Sequence, residues 1–321
     1  QQRNKKMKRE EIINKFVKAG IDTEHSQVIA DCLVTADIYG VTSHGSRLTD
    51  VYVEKIKKGC FNLEHEIRIL KESPSFCLMD GNNTIGIISG VYGMEYAIKK
   101  SKTNGIFTVI SRNNNTFGPA FYYTMMAAKA GCIGIAFSNS PAQMAPVGGK
   151  DKLIGTNPLS IAVPMRNREP LILDMASSMV AKSKFKEYKE QGKLLPDGWA
   201  TDSEGLPTND PDKAMRGLVL PMAGFKGYGI AVMLDVLSGV LSGSAYLNKV
   251  HRFYTETPKC MNVGFQFIAI DPEIVMGHEF YDEMDEYAKI IMNSRHVEGK
   301  NISLPGDDRI AVKRKNLNEE I

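Results

Sequence analysis

The chain lacks the marks of several protein classes. Its five cysteines, Cys32, Cys60, Cys77, Cys132 and Cys260, are odd in number, widely spaced and never in a Cys-x-x-Cys pair. That excludes a disulfide framework and a cysteine zinc site, and it suits reduced thiols in a reducing compartment. No apolar run reaches membrane length: the most apolar segment, Ile230 to Leu241, is interrupted by Asp235. An excess of one charge is also missing. The 40 basic residues against 37 acidic ones leave only +3, and no basic stripe is interleaved with aromatics, so neither a nucleic-acid nor a membrane partner is expected. The basic start, Gln1 to Arg9, has no apolar stretch and reads as neither secretory signal nor anchor, so a cytoplasmic location is expected. The two common nucleotide fingerprints are absent as well. Gly227-Tyr228-Gly229 approaches Gly-x-Gly-x-x-Gly, but Val232 stands at the third glycine, and Gly148-Gly149-Lys150 is followed by Asp151 rather than a P-loop hydroxyl.

What is present is an ordinary globular composition, 43% hydrophobic and 24% charged, in a chain long enough for one large or two ordinary domains. Ile12, Ile13, Phe16 and Val17 mark one helix face closed by Gly20, and Asp22-Thr23 caps a second helix with Val28, Ile29, Cys32, Leu33 and Ala36 inward. After Gly59 the texture changes to short apolar runs, Ile67 to Leu70 and Phe76 to Met79, punctuated by Pro74. From Ile87 helices and strands alternate, with strands at 106–110, 133–137, 159–163, 171–173 and 263–270 and helices near 120–130, 179–191, 228–242 and 278–293. The expected class is α/β of the mixed α+β kind, with no internal repeat and no linker between independent domains.

Between the second and third helical patterns lies Val41-Thr42-Ser43-His44-Gly45-Ser46-Arg47, which holds one of only six histidines. His44 can carry or release a proton near neutral pH, Ser43 can orient its ring, Gly45 admits a ligand to the backbone, and Arg47 offers a carboxylate a planar partner. An ordinary interhelical loop has the same composition. Other polar segments are double-edged too. Ser111 to Gly118 is either a polar turn or an anion-facing loop before a helix, and Gly155-Thr156-Asn157-Pro158 is a turn on its plainest reading. Asp174-Met175-Ala176-Ser177-Ser178 ends a strand and is expected to open a helix, its serines either a cap or a face for ribose or phosphate. Lys226, among glycines at the start of an apolar helix, opposes the helix dipole, a conflict that an anionic ligand resolves. Asp235 is expected to be a hydrogen-bonded structural acid, Met125, Met126 and Met233 core filler, and His25, His65, His251, His278 and His296 surface or packing residues. No metal site is expected.

Together these segments resemble the type 2 malate/L-lactate dehydrogenase family, which includes ureidoglycolate, sulfolactate and diketogulonate oxidoreductases and ketimine reductases. The resemblance runs through Ser43-His44-Gly45 with Tyr52 and Gly59, Asn115 to Gly118, Gly148-Gly149, Gly155 to Pro158, and Asp174-Met175-Ala176. It continues through Gly198-Trp199-Ala200-x-Asp202, Gly205-x-Pro207-Thr208-x-Asp210-Pro211, Lys226 to Gly229, Leu237-Ser238-Gly239-x-Leu241-Ser242-Gly243 and Pro305-Gly306. It implies a non-Rossmann mixed sheet binding NAD or NADP, NAD slightly favoured, in a homodimer whose site draws on both subunits. On that basis residues 1–75 form a helical region packed with the C-terminal segment 295–321, and residues 76–294 form the cofactor-binding body. His44 is the implied proton donor and Ser43 its neighbour. Arg47, Tyr52 and Thr156 lie near the substrate, and Thr116, Ser140, Asp174, Met175, Ala176, Lys226, Gly306 and Asp307 at the cofactor.

The chain departs from the family at three positions: Thr116 replaces a histidine of many members, Leu48 stands where their arginine falls, and Lys184 replaces the aspartate of ketimine reductases. The implied activity is hydride transfer between the nicotinamide and a 2-oxo or 2-hydroxy acid, oxaloacetate and malate first. Lactate, sulfolactate or ureidoglycolate are the alternatives in kind, and a catalytically impaired dinucleotide-binding protein is the alternative in class.

Overall fold

In the computed structural model residues 7–318 are described, so the terminal Gln1 to Lys6 and the last three residues of the expected C-terminal segment lie outside the described residues. Three helices come first: α1 (Arg9–Lys18), α2 (Thr23–Ile38) and α3 (Thr49–Lys57). Asp22 caps α2 as its sequence predicts, its carboxylate accepting from the His25 N–H at 3.0 Å. The His44 loop spans the gap between α2 and α3 as two short 3₁₀ turns.

Seven strands make one mixed sheet: β1 (Arg68–Glu72), β2 (Phe76–Asp80), β3 (Ile106–Asn114), β4 (Ile133–Ser138), β5 (Pro158–Val163), β6 (Leu171–Ala176) and β7 (Val263–Ile270). The order is β1-β2-β3-β7-β4-β5-β6, and only β2 and β3 run parallel. The sheet is mixed, as expected, and β7 inserts antiparallel between β3 and β4. It is buried on both faces and therefore reads as a continuous apolar run.

Helices α4 (Gly86–Asn104) and α5 (Ala120–Lys129) pack against the sheet, and α6 (Ser183–Glu190), α7 (Pro211–Arg216) and α8 (Phe225–Asp235) follow. Helix α8 runs on into a single π-helical turn, Val236–Val240, that crosses the centre of the sheet. It does so at Gly264, where a Cβ would sit 1.6 Å from the Ser238 carbonyl oxygen. The last helices are α9 (Pro272–Met276), α10 (Glu279–Met292) and α11 (Asp307–Asn318).

One hydrophobic cluster runs from Ile12 and Phe16 through Tyr52, Val109 and Phe265 to Ala269, so the N-terminal helices and the sheet share a core. The boundary expected at residue 75 falls within the sheet, because β1 is its edge strand. A second, smaller cluster, with Met144, Ile154, Phe185, Leu195, Val219 and Ala231, gathers the short elements between β4 and α8. Helix α11 returns to the N-terminal region. Asn316 donates to the carbonyls of Asp37 and Ile38 at 3.2 and 2.8 Å, and Val312 fills the space beside Gly40.

Two sequence expectations are corrected here. The serines after Ala176 cap no helix: β6 continues to Ala176, Ser178 bridges Pro221, and α6 starts only at Ser183. Met233 is not core filler but 57% exposed, because α8 is apolar on its outer face as well as its inner one. Asp235, by contrast, is the buried structural acid expected, accepting from Asn139 at 2.9 Å and from the Leu247 N–H at 2.9 Å.

Asn139 also donates to the Ala245 carbonyl at 2.7 Å and accepts from the Gly264 N–H at 3.0 Å, so one buried amide ties α8, β7 and the segment after the π-turn together. Replacing it strands three buried polar groups. Asn139→Ala is expected to lower unfolding free energy by about 2–4 kcal/mol, read by urea denaturation; a loss within the error of the wild-type curve would show that the amide is dispensable.

Candidate active site

The His44 loop owes its shape to a buried carboxylate. Asp37 on α2 accepts from the Ser46 N–H at 3.0 Å and lies against Gly45 so closely that a Cβ there would be 1.8 Å from its oxygen. The glycine is therefore a steric requirement rather than a flexible joint. Within the loop the Ser43 hydroxyl and His44 Nδ1 are 2.9 Å apart, which leaves Nε2 as the nitrogen available to a ligand.

His44 is half-buried, and its pKa is pushed down to about 4, first by desolvation and then by the charges of Arg47 and Arg309. Arg47 is exposed, and neighbouring Leu48 is turned into the core at 6% exposure. Where the family's arginine falls, this chain therefore offers packing, and the loop's own cation acting on His44 is Arg47. Tyr52 is placed in the core rather than on an open surface. It is fully buried among Phe16, Phe61 and Phe253, with its hydroxyl unpartnered. The inward spacing of Leu48, Tyr52 and Ile56 along α3 accounts for this.

The remaining candidates assemble around β6. Arg309 of α11 reaches both the carboxylate of Asp174, at 2.9 Å, and its carbonyl, at 3.1 Å. Burial pushes the Asp174 pKa up, and Arg309 opposes that shift. Pro305 accepts from the Ile172 N–H at 2.9 Å, and a Cβ on Gly306, at φ +96°, would press on the Ile172 backbone at 3.1 Å. Asp307 joins Arg168 and accepts from the Leu304 N–H at 2.8 Å, so its carboxylate is occupied by the chain's own groups. Met175 and Ala176 are half-buried at the end of the strand.

Beyond them the Ser177 N–H donates to the Thr156 carbonyl at 3.0 Å, and the Ser177 carbonyl accepts from Met222 at 2.9 Å. A Cβ on Gly227 would lie 2.6 Å from that same Ser177 carbonyl. The first turn of α8, with Lys226 exposed and no carboxylate partner among the described residues, is thus pressed against the end of β6. Asn157 completes the framework, accepting from the Ser140 N–H and hydroxyl at 2.9 and 3.2 Å and donating to the Ala231 carbonyl at 2.8 Å. Thr116 stands apart in the loop between β3 and α5, its hydroxyl only 3.5 Å from the Gly118 N–H.

The fold therefore gathers Ser140, Thr156, Asp174 to Ala176, Lys226 and Gly306 along β6 and the α8 N-terminus, and Arg309 links that group to His44. Ser177 Oγ, buried without a partner beside the unpaired Lys226, is the orphaned polar atom expected where an anionic or hydroxyl-rich ligand completes the site. A cleft of about 750 Å³ between residues 145–150 and 218–225 borders this turn at Phe225.

Over residues 5–321 the chain matches the family described as malate/L-lactate dehydrogenase. It belongs to that family. It is 39% identical to the malate dehydrogenase of Pyrococcus horikoshii over 306 residues, 92% of this chain and 84% of the relative. It is 40% identical to the L-sulfolactate dehydrogenase of Methanocaldococcus jannaschii over 307 residues, 95% of this chain and 88% of that one. The solved structure of sulfolactate dehydrogenase from that organism superposes with a TM-score of 0.90, covering 96% of this chain and 89% of its own. Escherichia coli K12 ureidoglycolate dehydrogenase (NAD(+)) is 38% identical over 271 residues, 84% of this chain and 77% of the relative. Malate/L-lactate dehydrogenase relatives over nearly the whole length make this chain an oxidoreductase enzyme.

Sequence reasoning missed two groups in this dehydrogenase. Arg309 was invisible because its role depends on α11 folding back across the molecule. Lys152, Lys182 and Arg252, far apart in sequence, act on one another and have no carboxylate partner among the described residues. Lys152 and Lys182 donate to the adjacent carbonyls of Arg216 and Gly217 at 3.0 and 3.3 Å. Burial, then Lys152 and Arg252, push the Lys182 pKa down to about 8.

The electrostatics around His44 are testable without turnover. In histidine-resolved NMR titrations His44 is expected to ionise near pH 4. Arg47→Gln removes a repelling cation, so the midpoint is expected to rise; a His44 midpoint near 6.5 in the unaltered protein would contradict this environment.

Proposed function

We propose that the protein transfers a hydride between NAD or NADP and a 2-oxo or 2-hydroxy acid, with oxaloacetate and malate the principal pair and NAD the preferred cofactor. The observation that carries the reading is the Arg309 link, which sets a ligand-facing histidine beside the group of residues at β6 and α8. The resident nicotinamide supplies the hydride when bound. Asp174 to Ala176, Ser140, Gly306-Asp307 and Lys226 are the residues that would hold it, Lys226 by meeting a phosphate at a helix end that already favours anions.

His44 Nε2 carries the proton. With a free-state pKa near 4 the ring is neutral at pH 7, the form that accepts a proton from a 2-hydroxy acid. In the reductive direction an anionic substrate favours the imidazolium by Coulomb attraction and so raises the pKa toward neutrality. Ser43 fixes the ring through Nδ1, and Arg47 offers the substrate carboxylate a cation.

The active form is a homodimer. Helix α8 and its π-turn present Phe225, Met233, Val236, Val240 and Leu241 at 43–70% exposure, a continuous apolar face that a second copy would cover. Val240→Asp is expected to shift the protein toward monomer in light scattering, and a monomeric parent protein would remove the proposal.

Three kinetic outcomes are expected. His44→Ala should lose activity by roughly 10²- to 10⁴-fold while still binding cofactor, as removal of a general acid requires; Thr116→Ala should cost far less. For malate oxidation kcat/KM, which reports the free enzyme, should stay level on the acid side until pH falls toward about 4, where His44 becomes protonated. Lys226→Ala should weaken NADH binding with little change in melting temperature. Normal turnover by His44→Ala would assign the proton to another group.

A further inference from the structure

At the opposite end of α2 from the His44 loop, the helix N-terminus faces the segment that leads into β1. Asp22, His25 and His65 meet there, each with a potential ligand atom within 4.8 Å of the others. Asp22 Oδ2 and His25 Nδ1 are 2.5 Å apart, and the two imidazole rings lie with centroids 4.6 Å apart. His65 is only 8% exposed. Its Nδ1 is hydrogen-bonded to the Thr84 hydroxyl, and its Nε2 is buried with no partner.

We infer that Asp22, His25 and His65 form a binding site for one divalent transition-metal ion, of which zinc is the first to test. Two imidazoles and a carboxylate are a donor set for zinc, nickel or cobalt rather than for calcium or magnesium, which prefer oxygen. The Thr84 bond to Nδ1 is the outer-sphere contact that a metal-ligating histidine makes, since it fixes the ring and leaves Nε2 for the ion. An ion at Nε2 also removes the unsatisfied buried nitrogen, which is otherwise a cost to the fold.

Ligand atoms around a tetrahedral zinc are about 3.3 Å apart for bonds of about 2.05 Å. The three ligand atoms, all within 4.8 Å of one another, reach that spacing by rotation of the exposed Asp22 and partly exposed His25 side chains. Water completes the coordination. The ion then clips the start of α2 to the segment before β1, two stretches forty residues apart that share no helix or strand ladder. Local spacing along the sequence cannot reveal such a site, because its third ligand comes from a different element.

The test is titration of zinc chloride into the chelator-treated full-length protein by isothermal calorimetry, with melting temperature as a second readout. One equivalent is expected to bind and to raise the melting temperature by several degrees, since the folded state alone holds the site. His25→Ala and His65→Asn are each expected to weaken binding at least tenfold. Asn tolerates the left-handed backbone at His65, φ 52°, so this variant should melt near the metal-free parent. Cobalt(II) should give the visible absorption bands of a low-coordinate nitrogen and oxygen site, lost in both variants. No binding at one equivalent, or binding retained by either variant, overturns the assignment.

Discussion

The ion pair between Arg309 and Asp174 is the contact on which the arrangement of the site depends. It joins a helix near the C-terminus to the second half of strand β6, and the same guanidinium is close enough to His44 to bias its ionisation. Asp174 is mostly shielded from solvent, with its side chain 12% exposed, so the carboxylate is costly without its partner. Helix α11 is held by several such contacts, including Lys313 to Glu169 at 2.5 Å and Asn316 to the end of α2. Because these contacts reach both α2 and β6, the position of α11 sets the distance between the His44 loop at the end of α2 and strand β6.

His44 illustrates how an environment chooses a protonation state. Desolvation and two nearby cations all disfavour the imidazolium, so the free loop holds a neutral base surrounded by positive potential. In the proposed reaction that potential would attract the anionic substrate, whose arrival would restore the ring's affinity for a proton. Substrate binding and the readiness of the acid would then be one event rather than two, without any moving part in the loop, which Asp37 and Gly45 lock in place.

Much of this was legible in the sequence, and for local reasons. The cap at Asp22, the strand at 263–270 and the loop at Ser43-His44-Gly45 are each specified by neighbouring residues, through capping chemistry, β-branched and aromatic runs, and interrupted periodicity. What was hidden depends on long-range partners. The insertion of β7 between β3 and β4 follows from no local pattern, and neither do the buried amides of Asn139 and Asn157, the latter reading as a turn residue until its distant carbonyl partner is known. Met233 misled because an apolar residue on an apolar helix gives no sign of which side faces solvent. The role of Arg309 required the chain to return over more than a hundred residues.

The central position of β7 has a consequence for how the polypeptide reaches this state. Strand β3 ends at Asn114 and β4 at Ser138, yet the strand that pairs with both begins only at Val263. During synthesis, which runs from the N-terminus, two apolar strands wait with facing edges unpaired while well over a hundred further residues are made. Exposed edges of that kind template association with other chains. The nascent protein is thus most vulnerable to aggregation in the interval before residue 270 leaves the ribosome, when the edges of β3 and β4 still lack the strand that joins them.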